Sequence, residues 1–336
     1  MPKLTVSELK ATEVAASLRA GAPIIWINTK EETRVTEAIA EAAYSSGFKQ
    51  VKLWDVKTGV AQIGLTDIDA TLRAPDDCFD AIKNSADSKN PRTVWVLRSL
   101  APWINAQQPV NVRGLLNLIQ YLPTVDREYA QQVVVVDSSG DIPVDLQAHC
   151  TFVDWPLPDR AEVAAILDQA LQVLPESKRA AASPNGNKEQ AIDAALGLTG
   201  DEIALCYKKS LVRAQRIDPE IVAEQKKQLI ERERLLTLHK PLDGGLDSVG
   251  GLDVLKSWLR KRKLAYTPAA RAYGLPLPKG VLLVGPPGNG KTLSAKAISA
   301  AFLALLIQFD LGALRSKYVG DSEQNIRRVF KTLTAI

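Results

Sequence analysis

The sequence predicts an α/β protein in three parts. Residues 1–157 form a doubly wound sheet domain, 158–239 a helical connector, and 240–336 the front half of a second α/β unit built around a phosphate-binding loop. Three observations carry that prediction. Short apolar runs alternate with helical stretches as far as residue 137, the pattern turns helical after residue 155, and an apolar run at 281–284 leads into GPPGNGKT. Strands separated by helical stretches imply a mostly parallel sheet with helices on its faces.

The elements follow in order. Thr5 and Glu8 form a capping-box pattern before a helix that stops at Gly21. PIIWIN (23–28) reads as a buried strand, followed by a helix over 31–46 with Val35, Ile39 and Ala43 on one face. Further strands are expected at VKLWDV (51–56), TVWVL (93–97) and QVVVVD (132–137), with a helix near 110–121. WPLPDRAEVAAILDQAL begins with prolines and continues as an amphipathic helix. ESKRAAASPNGNK (176–188) is small and polar, and reads as a linker. Helices are expected at 188–196, 199–214 and 218–236, the last a charged connecting helix with few core positions. KPLDGGLDSVGG (240–251) is glycine-rich and marks a boundary. Beyond it, 281–284 and LIQFD (306–310) read as strands around a helix that opens at Lys291.

Composition sets broad limits. The chain has 336 residues, 46% hydrophobic and 24% charged, with room for two or three domains. A net charge of +4 spread over this length permits an acidic partner but does not mark a nucleic-acid binder. Cys78, Cys150 and Cys206 are odd in number and far apart, which argues against a disulfide framework and for a reducing compartment. His149 and His239 are isolated, so the spacing offers no metal site. AAFLALLIQF is too short to span a bilayer, and MPKLTVSELK has no apolar signal core. The reading is a soluble, cytoplasmic protein with no membrane partner.

The chemistry concentrates at 285–292. Gly285, Gly290, Lys291 and Thr292 fit G-x-x-x-x-G-K-[ST], with Pro286, Pro287, Gly288 and Asn289 between them and Leu293 following. Glycines let the backbone curl so that successive N–H groups point at a β-phosphate. Lys291 reaches the β- and γ-phosphates, the Thr292 hydroxyl coordinates Mg²⁺, and the helix opening at Lys291 adds its positive end. A hydrolysing enzyme also needs an acidic residue at the end of a neighbouring strand to hold Mg²⁺ and polarise water. No apolar run ending in Asp-Glu follows Thr292.

SVGGLDVLKSWLRKRKLAY, PKGVLLVGPPGNGKTLSAKAIS and SKYVGDSEQNIRRVF, in this order over residues 247–330, resemble the first half of an AAA ATPase module. KLWDVKTG and LGLTGDEIALCYKKSL are similar to the divergent AAA proteins of plastids and cyanobacteria, known as hypothetical chloroplast reading frames. Those also begin with a sheet domain that lacks a phosphate loop, followed by a helical segment. The resemblance implies ATP with Mg²⁺ as cofactors, and Val249 and Gly250 where the backbone approaches adenine. It implies an aromatic pore loop at Lys317, Tyr318 and Val319, which in hexameric members grips unfolded polypeptide. In the plastid group the compartment would be the stroma. The family sheet has strand order 5-1-4-3-2, so the strands at 281–284 and 306–310 would not be neighbours. The acidic strand, polar sensor, arginine fingers and terminal helical domain have no counterpart up to Ile336. The expectation is therefore a module truncated after its first half, a remodelling motor and homo-oligomer only when complete. The alternative is a non-catalytic scaffold that senses ATP.

Simpler readings stand beside these. QVVVVD ends in Asp137 but continues with Ser138, and belongs to the first domain as an ordinary buried strand. After PIIWIN the loop NTKEETR has no glycine, and Glu31 and Glu32 would repel phosphate, so the first domain reads as an assembly platform without a ligand. The basic run 256–266 reads as a solvated helix rather than a nucleic-acid contact, and the six tryptophans as packing residues.

Overall fold

The computed structural model describes all residues except 1–3, 65–67, 106, 139–141, 185–187, 233–235, 240–241, 268–269, 271–272, 277, 303–305, 310–329 and 331–336. The described residues fall into two units, one running to Ala223 and including Phe330, the other beginning at Glu224.

In the first unit α1 (Val6–Ala20) is held at both ends by the residues its sequence offers. Thr5 and Glu8 exchange the two bonds of a capping box, and Gly21, at φ 74°, ends the helix in the left-handed region. Next come β1 (Ile24–Asn28), α2 (Glu32–Ser45), β2 (Gln50–Asp55), β3 (Gly59–Gln62), β4 (Ile68–Asp69), α3 (Pro75–Asp87) and β5 (Thr93–Arg98). After these lie α4 (Pro109–Tyr121), β6 (Gln131–Asp137), the short α5 (Val144–Gln147) and β7 (Cys150–Asp154). The sheet order is β4-β3-β2-β5-β6-β1-β7. The five strands from β2 to β7 run parallel, and β3 and β4 add an antiparallel edge. Numbered among themselves in chain order, the parallel strands read 5-1-4-3-2 from the β7 edge, the order expected of the other half of the chain.

Alternation along each strand builds two cores. Ile24, Trp26, Val133 and Val135 face α3 and α4, where Phe79, Ile82 and Leu115 are buried. Ile25, Ile27, Val134 and Val136 face α1 and α2, against Val14, Leu18, Val35 and Ile39. Because both faces are covered, the central strands are near-continuous apolar runs and show no polar alternation. Trp26, Trp54, Trp95 and Trp155 are fully buried, in keeping with a packing role, whereas Trp103 and Trp258 keep about a third of their surface exposed.

The helical part of this unit comprises α6 (Arg160–Gln172), α7 (Glu176–Ala182), α8 (Lys188–Ala195), α9 (Gly200–Ala214) and α10 (Pro219–Arg232), the last running into the second unit. α7 departs from the linker expected at 176–188. The run ESKRAAA consists largely of good helix formers. Arg179 bonds back to the carbonyls of Gln172 and Leu174, and Ala182 is buried.

In the second unit β8 (Leu236–His239) pairs antiparallel with β9 (Leu306–Phe309), and α11 (Asp253–Lys263) and α12 (Lys291–Phe302) lie between them in sequence. The expected strand at 281–284 is not formed. Strands exist through their ladder partners, and among the described residues none pairs with this segment. Its side chains are accordingly open to solvent, Leu282 at 87% and Val284 at 83%.

Thiol chemistry checks the packing directly. Burial pushes Cys150 up to about 12 and Cys78 higher still, and Cys206 is 1% exposed. A thiolate is the reactive form. All three thiols are therefore expected to resist a disulfide reagent at pH 8 and to react promptly once the chain is unfolded. Fast labelling of Cys78 in the folded protein would contradict this core.

Candidate functional site: the phosphate-binding loop

The loop and the start of α12 form one continuous structure. Ser294 donates its amide to the Gly290 carbonyl at 2.8 Å, which fixes the first helical turn directly behind the glycines. The first-turn amides of a helix have no carbonyl within the helix to pair with, so they face outward toward whatever the loop encloses. Gly288 and Gly290 sit at φ 84° and 85°, a region a side chain makes costly, and no atom lies within 4 Å of where a Cβ would stand. Gly285 is needed for a different reason. A Cβ there would meet Asn289 Nδ2 at 1.9 Å, so the Asn289 side chain folds over bare backbone.

Lys291 is arched back over the loop. Its ammonium donates to the carbonyls of Gly285 at 2.7 Å and Pro286 at 2.6 Å, and to Asn289 Oδ1 at 3.2 Å. Those oxygens mark a place for negative charge beside the lysine. Phosphate oxygens entering the loop would take the same donors and strengthen them, because charge-assisted bonds are roughly twice as strong as neutral ones. Thr292 and Leu293 are exposed on the first turn, and the Thr292 hydroxyl is the group there able to hold Mg²⁺.

The turn that leads to Val249 packs on this helix. The 3₁₀ turn Gly245–Ser248 packs on α12, with a Cβ at Gly245 reaching Ala300 Cβ at 3.7 Å and Leu242 donating its amide to the Lys296 carbonyl at 3.3 Å. Val249 itself is buried, and its carbonyl accepts Lys256 Nζ at 2.5 Å, while Gly250 is open to solvent. Lys317, Tyr318 and Val319 lie outside the described residues. On the basic helix α11, Arg260 pairs with Asp247 at 3.0 Å, and Arg262 stacks over Trp258 at 5.1 Å.

Asp137 belongs to the first unit, at the end of β6. It is 3% exposed and accepts the Ala101 amide at 2.9 Å, a structural bond that ties the loop after β5 to the strand end. The sequence reading missed a cluster nearby, Glu31, Arg34, Asp159 and Glu162. Its available signals were the capping boxes D-R-A-E and T-G-D-E, the second with a glycine in the first helical position. Burial pushes the Glu31 carboxyl above its ordinary range, opposed by the Arg34 charge and the Gly200 amide.

The fold and loop together define an α/β protein carrying the sequence of a phosphate-binding loop at a helix start. Comparison with known families narrows the class. The N-terminal domain of SpoVK-like AAA ATPases matches residues 11–155, their second domain 161–233, and the ATPase family associated with various cellular activities (AAA) 281–336. The chain belongs to the AAA ATPase family. It is 31% identical over 316 residues to the AAA domain-containing protein ycf46 of Pyropia yezoensis, covering 93% of this chain and 61% of that protein. Identity to the ycf46 protein of Guillardia theta is also 31%, over 318 residues, covering 94% and 60%. The chain thus spans about three fifths of the length of these relatives. An "AAA ATPase forming ring-shaped complexes" from Bifidobacterium dentium is 37% identical over 112 residues, 30% of this chain and 21% of that one.

Proposed function

We propose that the chain binds ATP with Mg²⁺ at Gly285–Thr292, as the nucleotide-binding front of an AAA module. The observation that carries this is Lys291 at the start of α12, its ammonium held by the loop oxygens of Gly285, Pro286 and Asn289. Lys291 neutralises the γ-phosphate, Thr292 places Mg²⁺, and Val249 and Gly250 line the adenine side. We divide the chain into a sheet domain at 1–157, a helical connector at 158–239 and the AAA portion from 240. Titrating a fluorescent ATP analogue with and without Mg²⁺ tests the site. Saturable, Mg²⁺-sensitive binding supports it, and absence of binding rejects it.

In this reading the whole protein is a homo-oligomeric, ring-forming remodeller of polypeptide, with Lys317, Tyr318 and Val319 as its pore loop, working in the cytoplasm or plastid stroma. The support is family membership, a relative whose name records ring-shaped complexes, and an aromatic within the KYVGDSE stretch. Purified 1–336 is expected to bind ATP yet hydrolyse it at least about a thousandfold more slowly than AAA enzymes that carry an acidic strand, since water must be positioned and polarised and no apolar run ending in Asp-Glu follows Thr292. Steady phosphate release from wild type, lost in Lys291→Ala, would overturn that. The competing reading, an ATP-sensing scaffold, is favoured by one observation: the unit with the extensive double core is the one without the loop.

A further inference from the structure

The sheet of the first unit reverses its winding between β1 and β6. After β1 the chain passes to the face where Val35 and Ile39 pack, and after β6 to the opposite face, where Ile142 and Leu146 pack. In open parallel sheets, ligands enter the crevice that opens at such a switch point, beyond the carboxyl ends of the strands. Beyond the carboxyl end of β1 the chain brings its own charged groups together. Glu31, two residues beyond Thr29 at the exit of β1, is 5% exposed. Its Oε1 accepts the Gly200 amide at the start of α9 at 2.5 Å, and its Oε2 pairs with Arg34. Arg34 also donates to Glu162 at 3.1 Å and to the Pro156 carbonyl at 2.7 Å. Glu162 and Asp159, while capping α6, accept the Ser7 and Val6 amides at the start of α1. Three helix N-termini, each carrying partial positive charge, thereby converge on three carboxylates and one guanidinium.

Gly200 bears the mark of the same contact from the side of α9. Glycine weakens a helix, yet it holds the first position of α9. A Cβ there would stand 3.3 Å from Glu31 Oε1, tighter than ordinary contact, so the bare backbone is what lets the carboxylate reach the amide.

We propose that the Gly200 amide and the Arg34 guanidinium, beyond the carboxyl end of β1, form an oxyanion site filled by the chain's own Glu31 carboxylate, and that the filled site clasps α9 to the end of β1. The negative end that a nucleotide's phosphate would bring is supplied from within. A nucleotide approaching here meets Glu31 and Glu162, which repel it. The site is separate from the phosphate loop at 285–292, and its test does not depend on ATP binding there.

Hydrogen–deuterium exchange on the whole 1–336 chain reads the clasp at the first turn of α9. Glu31→Ala should speed exchange of the peptide around Gly200–Ile203 by roughly tenfold or more, the equivalent of one hydrogen bond to a charged group. Inorganic phosphate, at tens of millimolar, should restore protection saturably in Glu31→Ala and leave wild type unaltered beyond the effect of sodium chloride at equal ionic strength. The wild-type control separates site filling from the general stabilisation phosphate gives any fold. Unchanged exchange in Glu31→Ala, or an equal phosphate response in both proteins, would overturn the proposal. If Glu31→Ala does not fold, Glu31→Gln decides. It keeps the acceptor but removes the charge facing Arg34, so intermediate protection supports the clasp and wild-type protection refutes it.

Discussion

Lys291→Ala is expected to weaken ATP binding by at least about thirtyfold, and to do so without unfolding the second unit. The ammonium makes three hydrogen bonds, all to the loop itself. A charged hydrogen bond contributes about 1.5–3 kcal/mol. Losing the charge removes at least one such bond to phosphate and leaves the clustered negative oxygens of ATP unbalanced. The loop should survive, because Gly288 and Gly290 keep their conformations independently of the lysine and Ser294 still closes the first turn on Gly290. Calorimetric titration with matched circular dichroism checks both halves. Unchanged affinity in a folded variant would remove Lys291 from the site.

Trp26→Ala should be the costliest single change in the sheet unit. Trp26 is the middle residue of β1, 0% exposed, paired in register with Val135 of β6 and Phe152 of β7. Truncating a buried tryptophan to alanine costs about 3–5 kcal/mol through lost transfer energy and the cavity left behind. For a unit of this size that is a fall in Tm of roughly 8–15 °C. Trp26→Phe offers a sharper test. The indole N–H is buried and donates to nothing among the described residues, so phenylalanine removes an unpaired donor while keeping most of the volume. Its cost is expected to stay below about 1.5 kcal/mol. A Trp26→Phe variant as unstable as Trp26→Ala would mean the indole nitrogen has a partner that this packing does not provide.

Much of this fold was legible from one-dimensional pattern. The runs IIWIN, TVWVL and QVVVVD became β1, β5 and β6 within a residue or two, because strands covered on both faces are apolar at every position. Thr5, Glu8 and Gly21 marked α1 because caps are local chemistry. Most of what escaped was non-local, although the helix α3 was not foreseen either. β3, β4 and β8 are short and take their identity from a partner across the ladder, and the apolar run 281–284 failed as a strand for want of one. The site shows the same division. A phosphate loop is contiguous, so its residues could be named by spacing. The Glu31 cluster joins residues 31, 34, 159, 162 and 200, and no window of the sequence contains it. Glu31 illustrates the difference: it is the N-cap of α2 without capping it, and its carboxylate bonds to α9 instead.

The central claim is that the chain has a single nucleotide site, at 285–292, and that its sheet unit has none. Isothermal titration of wild-type 1–336 with ATP and Mg²⁺ tests this most directly through the stoichiometry. The account predicts one ATP per chain, with that one site weakened at least about thirtyfold in Lys291→Ala. Two sites per chain, or one site of unchanged affinity in Lys291→Ala, would contradict it.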